Sequence, residues 1–282
     1  MSRPHTFTPP PCAHAHQLRT ARGDFAVLDA PPRTAHRGTA LLLPGYTGSK
    51  EDFIALLEPL SAAGYRIVSV DGRGQYETEG TDRQDQYTQV ELARDVLAQA
   101  AALDVADEGS VHLVGHSLGG QIARAAVLLD ASPFRSLTLM SSGPAQVAEA
   151  QRLKVKMLSD ALATLSMAEV WEAMRALDPP EDATTDGEAL RRRWLRHRPA
   201  QLIATGRQLA TEPDRVAELA AVALPVHVLS GERDDTWPVP LLDEMARRLG
   251  AHRTRIAGAE HSPNTDRPEQ TAAALVSFWE SL

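Results

Sequence analysis

Short apolar runs alternate with segments of helical periodicity along most of the chain. Uninterrupted apolar runs are typical of parallel strands that are buried on both faces of a sheet. They lie at residues 39–43, 66–70, 111–114, 136–140 and 226–229, and a further short strand is predicted at 254–256. Between them, apolar residues recur at the spacing of one helix face, over 52–63, 90–103, 118–129, 240–249 and 268–279. The alternation predicts an α/β fold, a mostly parallel β-sheet flanked by helices.

The alternation stops between residues 144 and 215, where no strand is predicted. This stretch is rich in Ala, Leu, Met, Glu and Arg, which all favour helices. We therefore predict one α/β core, formed by residues 21–143 and 216–282 and interrupted by a helical insertion over 144–215. Residues 1–20 contain three consecutive prolines and few apolar side chains, so we expect a flexible N-terminal extension there.

The composition is that of an ordinary globular protein, with 43% hydrophobic and 23% charged residues and a formal net charge of -8. Proteins that wrap nucleic acid usually carry a basic face, so no nucleic-acid partner is expected. One basic run, residues 191–198, is interpreted as a solvated helix face near the acidic stretch 178–188. Binding to a phosphate, an acidic substrate or an acidic partner is the alternative interpretation of this run.

The chain has no apolar run of the roughly 18 residues that a membrane span requires, so no membrane span is expected. The N-terminus also lacks the apolar segment of a signal peptide, and a cytoplasmic location is predicted. The single cysteine, Cys12, excludes both an intramolecular disulfide and a cysteine-based metal cluster.

The segment Gly115-His116-Ser117-Leu118-Gly119 carries the strongest chemical signal. It directly follows a predicted strand and precedes a predicted helix, which is the arrangement of a nucleophile elbow. Glycines permit so tight a turn, and the helix N-terminus directs N–H groups toward a developing oxyanion. Ser117 is therefore the candidate nucleophile. An idle serine in a plain strand–turn–helix connection is the alternative.

A nucleophilic serine needs a base, and the base needs an acid to orient it. After this kind of elbow the acid comes first along the chain and the histidine second. His261 follows the last predicted strand, at the sheet edge where ligands bind in open α/β sheets, and is the candidate base. Asp234 is the candidate acid, with Asp235 as its rival and Glu232 third. A polar turn with helix-capping aspartates is the alternative interpretation.

The loop 44–49 follows the first strong strand and contains two glycines. The backbone N–H of Tyr46, with that of Leu118, is the candidate oxyanion hole. A plain glycine-rich connection is the alternative interpretation of this loop. A phosphate-binding role is not expected, because no lysine follows at the spacing of a P-loop.

Five segments, in order LLLPGYTGSKEDF, VDGRG, VGHSLGG, LSGERDD and GAEHSPNTDRPE, resemble the α/β-hydrolase superfamily, specifically its esterase/lipase-like branch with a helical cap. The resemblance extends from about residue 39 to the C-terminus and implies that 144–215 is the cap. It further implies a catalytic triad of Ser117, Asp234 and His261. It likewise implies an oxyanion hole formed by Tyr46 and Leu118.

This chain departs from the family pattern at two loops. Pro44-Gly45 stands where the family often has His-Gly, and the retained glycine preserves the expected oxyanion hole. The loop after Val70 usually continues as R-G-x-G-x-S, whereas here it continues with Gln75-Tyr76-Glu77.

These features predict a serine hydrolase that acts through an acyl-enzyme, with a carboxylic ester of small to medium size as its small-molecule substrate. No metal or organic cofactor is implied. The same triad would also serve a lactonase, a thioesterase, an amidase, a carbon–carbon bond hydrolase or a perhydrolase. A ligand-binding protein of the same fold without catalysis is a third class. Candidate pocket residues, for which plain core packing is the alternative interpretation, are Met157, Leu158, Leu162, Trp171 and Met174.

Overall fold

The computed structural model describes residues 3–103, 111–177 and 187–282. Eight strands lie within these residues: β1 (His14–Thr20), β2 (Gly23–Ala30), β3 (Gly38–Leu43), β4 (Tyr65–Val70), β5 (Val111–His116), β6 (Phe134–Met140), β7 (Val226–Gly231) and β8 (His252–Ile256). They form one sheet in the order β1-β2-β4-β3-β5-β6-β7-β8. Pairing is antiparallel from β1 through β2 to β4 and parallel at every later neighbour. The predicted α/β fold with a mostly parallel sheet is confirmed.

Helices cover both faces of the sheet. In the described ranges they are α1 (Ile54–Ala62), α2 (Gln89–Ala102), α3 (Leu118–Leu129), α4 (Glu149–Leu162), α5 (Met167–Leu177), α6 (Gly187–Arg196), α7 (Pro199–Thr211), α8 (Val216–Ala220), α9 (Val239–Leu249), α10 (Pro263–Asp266) and α11 (Pro268–Glu280). Successive strand residues point to opposite faces: Leu41 packs in a cluster with α2, α3 and α9, and Leu42 in a cluster with α1 and α11. Burial on both faces accounts for the uninterrupted apolar runs.

The carboxyl ends of four parallel strands meet at one edge of the sheet. Leu43 at the end of β3 is paired with Gly115 on β5. Gly231 at the end of β7 is paired with Ile256 at the end of β8. The loops that follow β3, β5, β7 and β8 therefore lie along the same edge of the sheet, and these loops carry the candidate site residues.

The N-terminal boundary of the core differs from the prediction. Residues 14–20, expected to belong to a flexible extension over 1–20, form β1 and pair with β2 from His14↔Asp29 to Thr20↔Gly23. Only Leu18 is buried within β1, so this edge strand needs no apolar run. Backbone hydrogen bonds attach it to β2. An apolar pattern cannot reveal such a strand. Residues 1–2 lie outside the described residues.

Helices α4 to α8 occupy the chain between β6 and β7, where the helical insertion was predicted. Within this segment the prediction of a solvated basic face is wrong for Arg193, which is fully buried and pairs with Asp52 at 2.7 Å. Arg191 and Arg192 are exposed, as expected. The neighbouring acidic residues 178–186 lie outside the described residues. Across the described helices, none combines the length and the apolar character needed to span a bilayer.

Candidate active site

Ser117 occupies the sharp turn between β5 and α3. Its backbone angles are φ 54° and ψ -118°, a conformation that costs roughly 1–3 kcal/mol for a residue with a Cβ atom. Its N–H donates to the carbonyl oxygen of Met140 at 2.9 Å. A Cβ atom at Gly115 or Gly119 would lie 2.3 or 2.4 Å from a backbone oxygen. The two glycines are therefore required, and the surrounding strands and helix hold the serine in its strained position.

The structure brings the three predicted catalytic side chains together. Nε2 of His261 lies 3.1 Å from Oγ of Ser117. Nδ1 of His261 lies 3.0 Å from each carboxylate oxygen of Asp234. The Asp234 side chain is fully buried, whereas that of His261 is 25% exposed. This chain of side-chain hydrogen bonds has the geometry that activation of a serine by a general base requires.

The three candidate acids differ clearly in position. The Oδ1 atom of Asp234 also accepts the backbone N–H groups of Thr236 at 2.8 Å and Trp237 at 3.1 Å. These bonds hold the carboxylate in the orientation in which it faces the imidazole of His261. The rivals Asp235 and Glu232 form their hydrogen bonds to other groups. The geometry therefore favours Asp234 over both.

His116 lies beside the candidate base. Its Nε2 is 2.9 Å from the backbone carbonyl oxygen of His261, so this nitrogen carries the hydrogen and donates it. Burial, followed by the proximity of His261, lowers the pKa of His116 to about 4. His116 is consequently neutral at pH 7 and holds the backbone of the loop that presents the base.

The two candidate oxyanion donors flank the serine. Leu118 is the first residue of α3, and the first N–H groups of a helix have no partner within the helix. Tyr46 follows Gly45 on the loop after β3, and a Cβ atom at Gly45 would lie only 3.3 Å from Cβ of Ser117. The loop thus approaches the elbow as closely as a glycine permits.

The loop 44–49 is held by side chains that the sequence reasoning missed. Gln75 donates from Nε2 to the carbonyl oxygen of Gly45 at 2.9 Å, and its Oε1 accepts the N–H of Gly72 at 2.9 Å. Nε2 of His197, at the end of α6, lies 3.1 Å from the carbonyl oxygen of Gly48. Gln75 lies in the loop that departs from the R-G-x-G-x-S pattern, and this departure was the available signal.

A buried cluster of charges lies immediately behind this loop. Nζ of Lys50 is 2.8 Å from Glu51, 2.9 Å from Asp71 and 2.6 Å from Glu77. Burial disfavours the charged amine, but the carboxylates of Asp71 and Glu51 outweigh it and raise the pKa of Lys50. The backbone N–H of Lys50 also donates to Asp71 at 2.7 Å. The cluster anchors the chain directly after the loop.

Ser117 and His261 line a cleft of about 510 Å³. Its wall on α4 is formed by Gln151, Lys154 and Val155, which lie on one face of that helix. Other lining residues are Gly45, Tyr46, Thr47, Gly48, His116, Val147, Leu209, Asp235, Thr236, Glu260 and Ser262. In the part of the chain that the structure describes, no group of three or more His, Cys, Asp or Glu residues could hold a metal ion.

The five predicted pocket residues are not among the residues that line this cleft. Four of them pack against the buried Trp194 of α6 or its neighbours: Leu158, Leu162, Trp171 and Met174. Met157 is 68% exposed. The apolar stripe of α4 therefore faces neighbouring helices, and its more polar face borders the cleft.

A model of the alpha/beta hydrolase family matches residues 40–274 of the chain. Pimeloyl-[acyl-carrier protein] methyl ester esterase of Aeromonas hydrophila is 30% identical over 235 residues, which are 78% of this chain and 87% of that protein. 2-Hydroxy-6-oxononadienedioate/2-hydroxy-6-oxononatrienedioate hydrolase of Paraburkholderia xenovorans is 29% identical over 209 residues, 70% of this chain and 69% of that protein. The solved structure of an esterase from Exiguobacterium antarcticum has a TM-score of 0.76 at 18% identity, covering 95% of this chain and 100% of the other. The family match extends over most of the chain, and the protein is therefore an enzyme of the alpha/beta hydrolase family.

Proposed function

We propose that this enzyme is a serine hydrolase that cleaves carboxylic esters of small to medium size through an acyl-enzyme. The proposal depends on one observation, the hydrogen bonds that link Asp234, His261 and Ser117. Nδ1 of His261 is 3.0 Å from Oδ2 of Asp234, and Nε2 of His261 is 3.1 Å from Oγ of Ser117. A serine hydroxyl is a weak nucleophile at neutral pH, and a base within hydrogen-bond distance overcomes this weakness. The serine lies in a cleft that can admit a substrate.

In the proposed first step, Oγ of Ser117 attacks the ester carbonyl carbon while Nε2 of His261 takes the hydroxyl proton. The carboxylate of Asp234 stabilises the resulting imidazolium. The tetrahedral intermediate then collapses, the bond to the alcohol oxygen breaks, and His261 returns the proton to the leaving alcohol. Water then attacks the carbonyl carbon of the acyl-enzyme while His261 takes a water proton. The bond from that carbon to Oγ of Ser117 breaks, His261 returns the proton to Oγ, and the carboxylic acid is released.

We assign the backbone N–H groups of Tyr46 and Leu118 to the oxyanion of each tetrahedral intermediate. In other enzymes the loss of one such donor costs about 3 kcal/mol of transition-state stabilisation. The contacts from Gln75 to Gly45 and from His197 to Gly48 support this assignment. The carbonyl of Gly45 belongs to the same peptide group as the N–H of Tyr46, so the contact from Gln75 restricts the rotation of that group. The contact from His197 holds the same loop further along, at Gly48.

Residues 144–215 are proposed to act as a cap that shapes the substrate site. Val147, Gln151 and Leu209 from this segment line the cleft. The segment is fastened to the core by the buried pair of Arg193 and Asp52 at 2.7 Å. A cap fixed in this way selects substrates by shape, which fits a site for small to medium esters.

A carbon–carbon bond hydrolase is the second candidate, because the relative from Paraburkholderia xenovorans is named for an oxo-dicarboxylate. A compound with that name contains no ester, so its hydrolysis breaks a different bond. The relative from Aeromonas hydrophila is named as a methyl ester esterase, and its match covers a larger share of both proteins. This larger coverage makes the ester our first choice.

The proposal is tested by turnover of a panel of esters, thioesters, lactones, amides and β-diketones by the wild type and by Ser117→Ala. We expect the wild type to favour esters and the variant to lose at least a thousandfold in kcat/KM. Preferred cleavage of a diketone would select the second candidate. A folded variant that keeps half of the activity would overturn the role of Ser117.

A further inference from the structure

A second cavity lies on the other side of α4 from the catalytic cleft. It has a volume of about 630 Å³ and lies between α4 and α7, where Ile203 and Ala210 contribute apolar surface. The catalytic cleft, of about 510 Å³, and this second cavity share one lining residue, Val155. Only a thin layer of side chains therefore separates the two spaces at this point.

Tyr46 lies beside Val155 in the layer of side chains between the two cavities. Tyr46 lines the catalytic cleft, and its hydroxyl donates to the carbonyl oxygen of Leu202 on α7 at 2.8 Å. Both side chains lie next to Gly206 of α7, a residue that lines the second cavity. A Cβ atom at Gly206 would lie 2.6 Å from the Tyr46 hydroxyl and 2.9 Å from Cγ1 of Val155. The two side chains thus pack next to each other and against the same helical position.

We infer that Tyr46 and Val155 form a partition that limits the length of the acyl chain the enzyme accepts. The inference rests on the proposed function, because it concerns the substrate of the same serine. A short acyl chain fits on the catalytic side, whereas a longer linear chain meets the partition. Removal of the partition would join the two cavities and let the distal methylene groups of a longer chain enter the apolar part between α4 and α7.

Val155→Ala removes two methyl groups from the partition without touching the proposed nucleophile, base or oxyanion donors. The measured quantity is the ratio of kcat/KM for p-nitrophenyl octanoate to that for p-nitrophenyl butyrate. We expect the wild type to favour butyrate. Each methylene group that becomes buried contributes about fourfold in binding, so the ratio is expected to rise at least tenfold in the variant.

Gly206→Ala is the opposite change. The added Cβ atom must displace the end of the Tyr46 side chain, because 2.6 Å is too short for contact. Because the added atom lies on α7, we expect Tyr46 to move away from that helix and toward the cleft, and the ratio to fall below that of the wild type. Alanine also favours the helix over glycine, which protects the fold. Met157→Ala is the matched control, since Met157 lies on α4 but is 68% exposed and lines neither described cavity.

The inference is supported by a ratio that rises in Val155→Ala, falls in Gly206→Ala and stays within twofold in Met157→Ala. A Val155→Ala protein with a wild-type melting temperature and a ratio within twofold of the wild type would overturn it, while ester hydrolysis that depends on Ser117 would leave the proposed function intact. A wild type that already favours octanoate would overturn it as well. Absence of hydrolysis of both esters in every variant, with no chemical modification of Ser117, would remove the proposed function and the inference together.

Discussion

The substitution Asp234→Asn changes the chemistry of the buried acid with almost no change of shape. In the structure, Oδ1 of Asp234 accepts the N–H groups of Thr236 and Trp237 at 2.8 and 3.1 Å. An asparagine therefore turns its carbonyl oxygen to these two donors. Its NH2 group then takes the place of Oδ2, which lies 3.0 Å from Nδ1 of His261.

The carbonyl oxygen at the Oδ1 position is also 3.0 Å from Nδ1 of His261, but it already accepts two backbone N–H groups. The NH2 group only donates, so we expect Nδ1 to accept from it and the imidazole hydrogen to move to Nε2. That nitrogen lies 3.1 Å from Oγ of Ser117. Once Nε2 carries a hydrogen, it can no longer take the serine proton. The corresponding exchange in a serine protease lowers kcat about ten-thousandfold, which is equivalent to about 5.5 kcal/mol of activation free energy. We expect a loss of this order in Asp234→Asn.

The assay is the hydrolysis of p-nitrophenyl butyrate at pH 7.5, with melting temperatures measured in parallel. Asp235→Asn is the matched control, because it makes the same chemical change one residue away, on an exposed carboxylate that bonds to Gln151. We expect it to lose less than tenfold. A folded Asp234→Asn protein that loses less than tenfold would refute the reasoning, and a larger loss in Asp235→Asn would transfer the acid role to that residue.

Three further predictions concern the surroundings of the site. Arg193→Met leaves the fully buried Asp52 without its guanidinium partner and is expected to lower the free energy of unfolding by about 3–5 kcal/mol; a loss below 1 kcal/mol in urea unfolding would contradict the importance of the pair. Gln75→Ala removes the side-chain donor to the carbonyl oxygen of Gly45 and is expected to lower kcat roughly tenfold with little change in KM; an unchanged kcat in steady-state kinetics would show that this contact does not position the loop. Burial, followed by the charge of Arg135, lowers the pKa of His112 to about 3, so below pH 6.5 the unfolded chain binds a proton that the folded chain does not. The free energy of unfolding therefore decreases as the pH is lowered, by about 2 kcal/mol from pH 6.5 to pH 5 for this histidine alone. A His112→Asn variant with the same pH dependence in urea unfolding would contradict this assignment.

The parts of the fold that follow from local pattern were predictable from the sequence. Five strands of the sheet, β3 to β7, carry largely apolar runs because helices cover both of their faces. Strand β2 has a buried apolar run over 25–28 and was nevertheless missed. The elbow at Ser117 was visible because its steric requirement falls on two positions, Gly115 and Gly119, within one short segment. Strand β1 escaped prediction because it is an edge strand with a single buried side chain, Leu18. Its pairing with β2 depends on backbone hydrogen bonds that any sequence can make.

The lining of the cleft was not predictable, because periodicity identifies an apolar face without identifying what that face contacts. On α4 the stripe with Leu158 and Leu162 packs against neighbouring helices, and the face with Gln151 and Lys154 borders the cleft. The side chains that hold the loop 44–49 were equally hidden. Gln75 lies 30 residues from its partner along the chain, and only the folded sheet brings the two loops together.

The assignment of Ser117 as an activated nucleophile is tested most directly by chemical modification. The measurement is intact-mass spectrometry after treatment with a fluorophosphonate probe, on the wild type and on Ser117→Ala, and it requires no knowledge of the natural substrate. The account predicts one adduct on the wild type and none on the variant. A folded wild type that forms no adduct, or a variant that forms the same adduct, would contradict it.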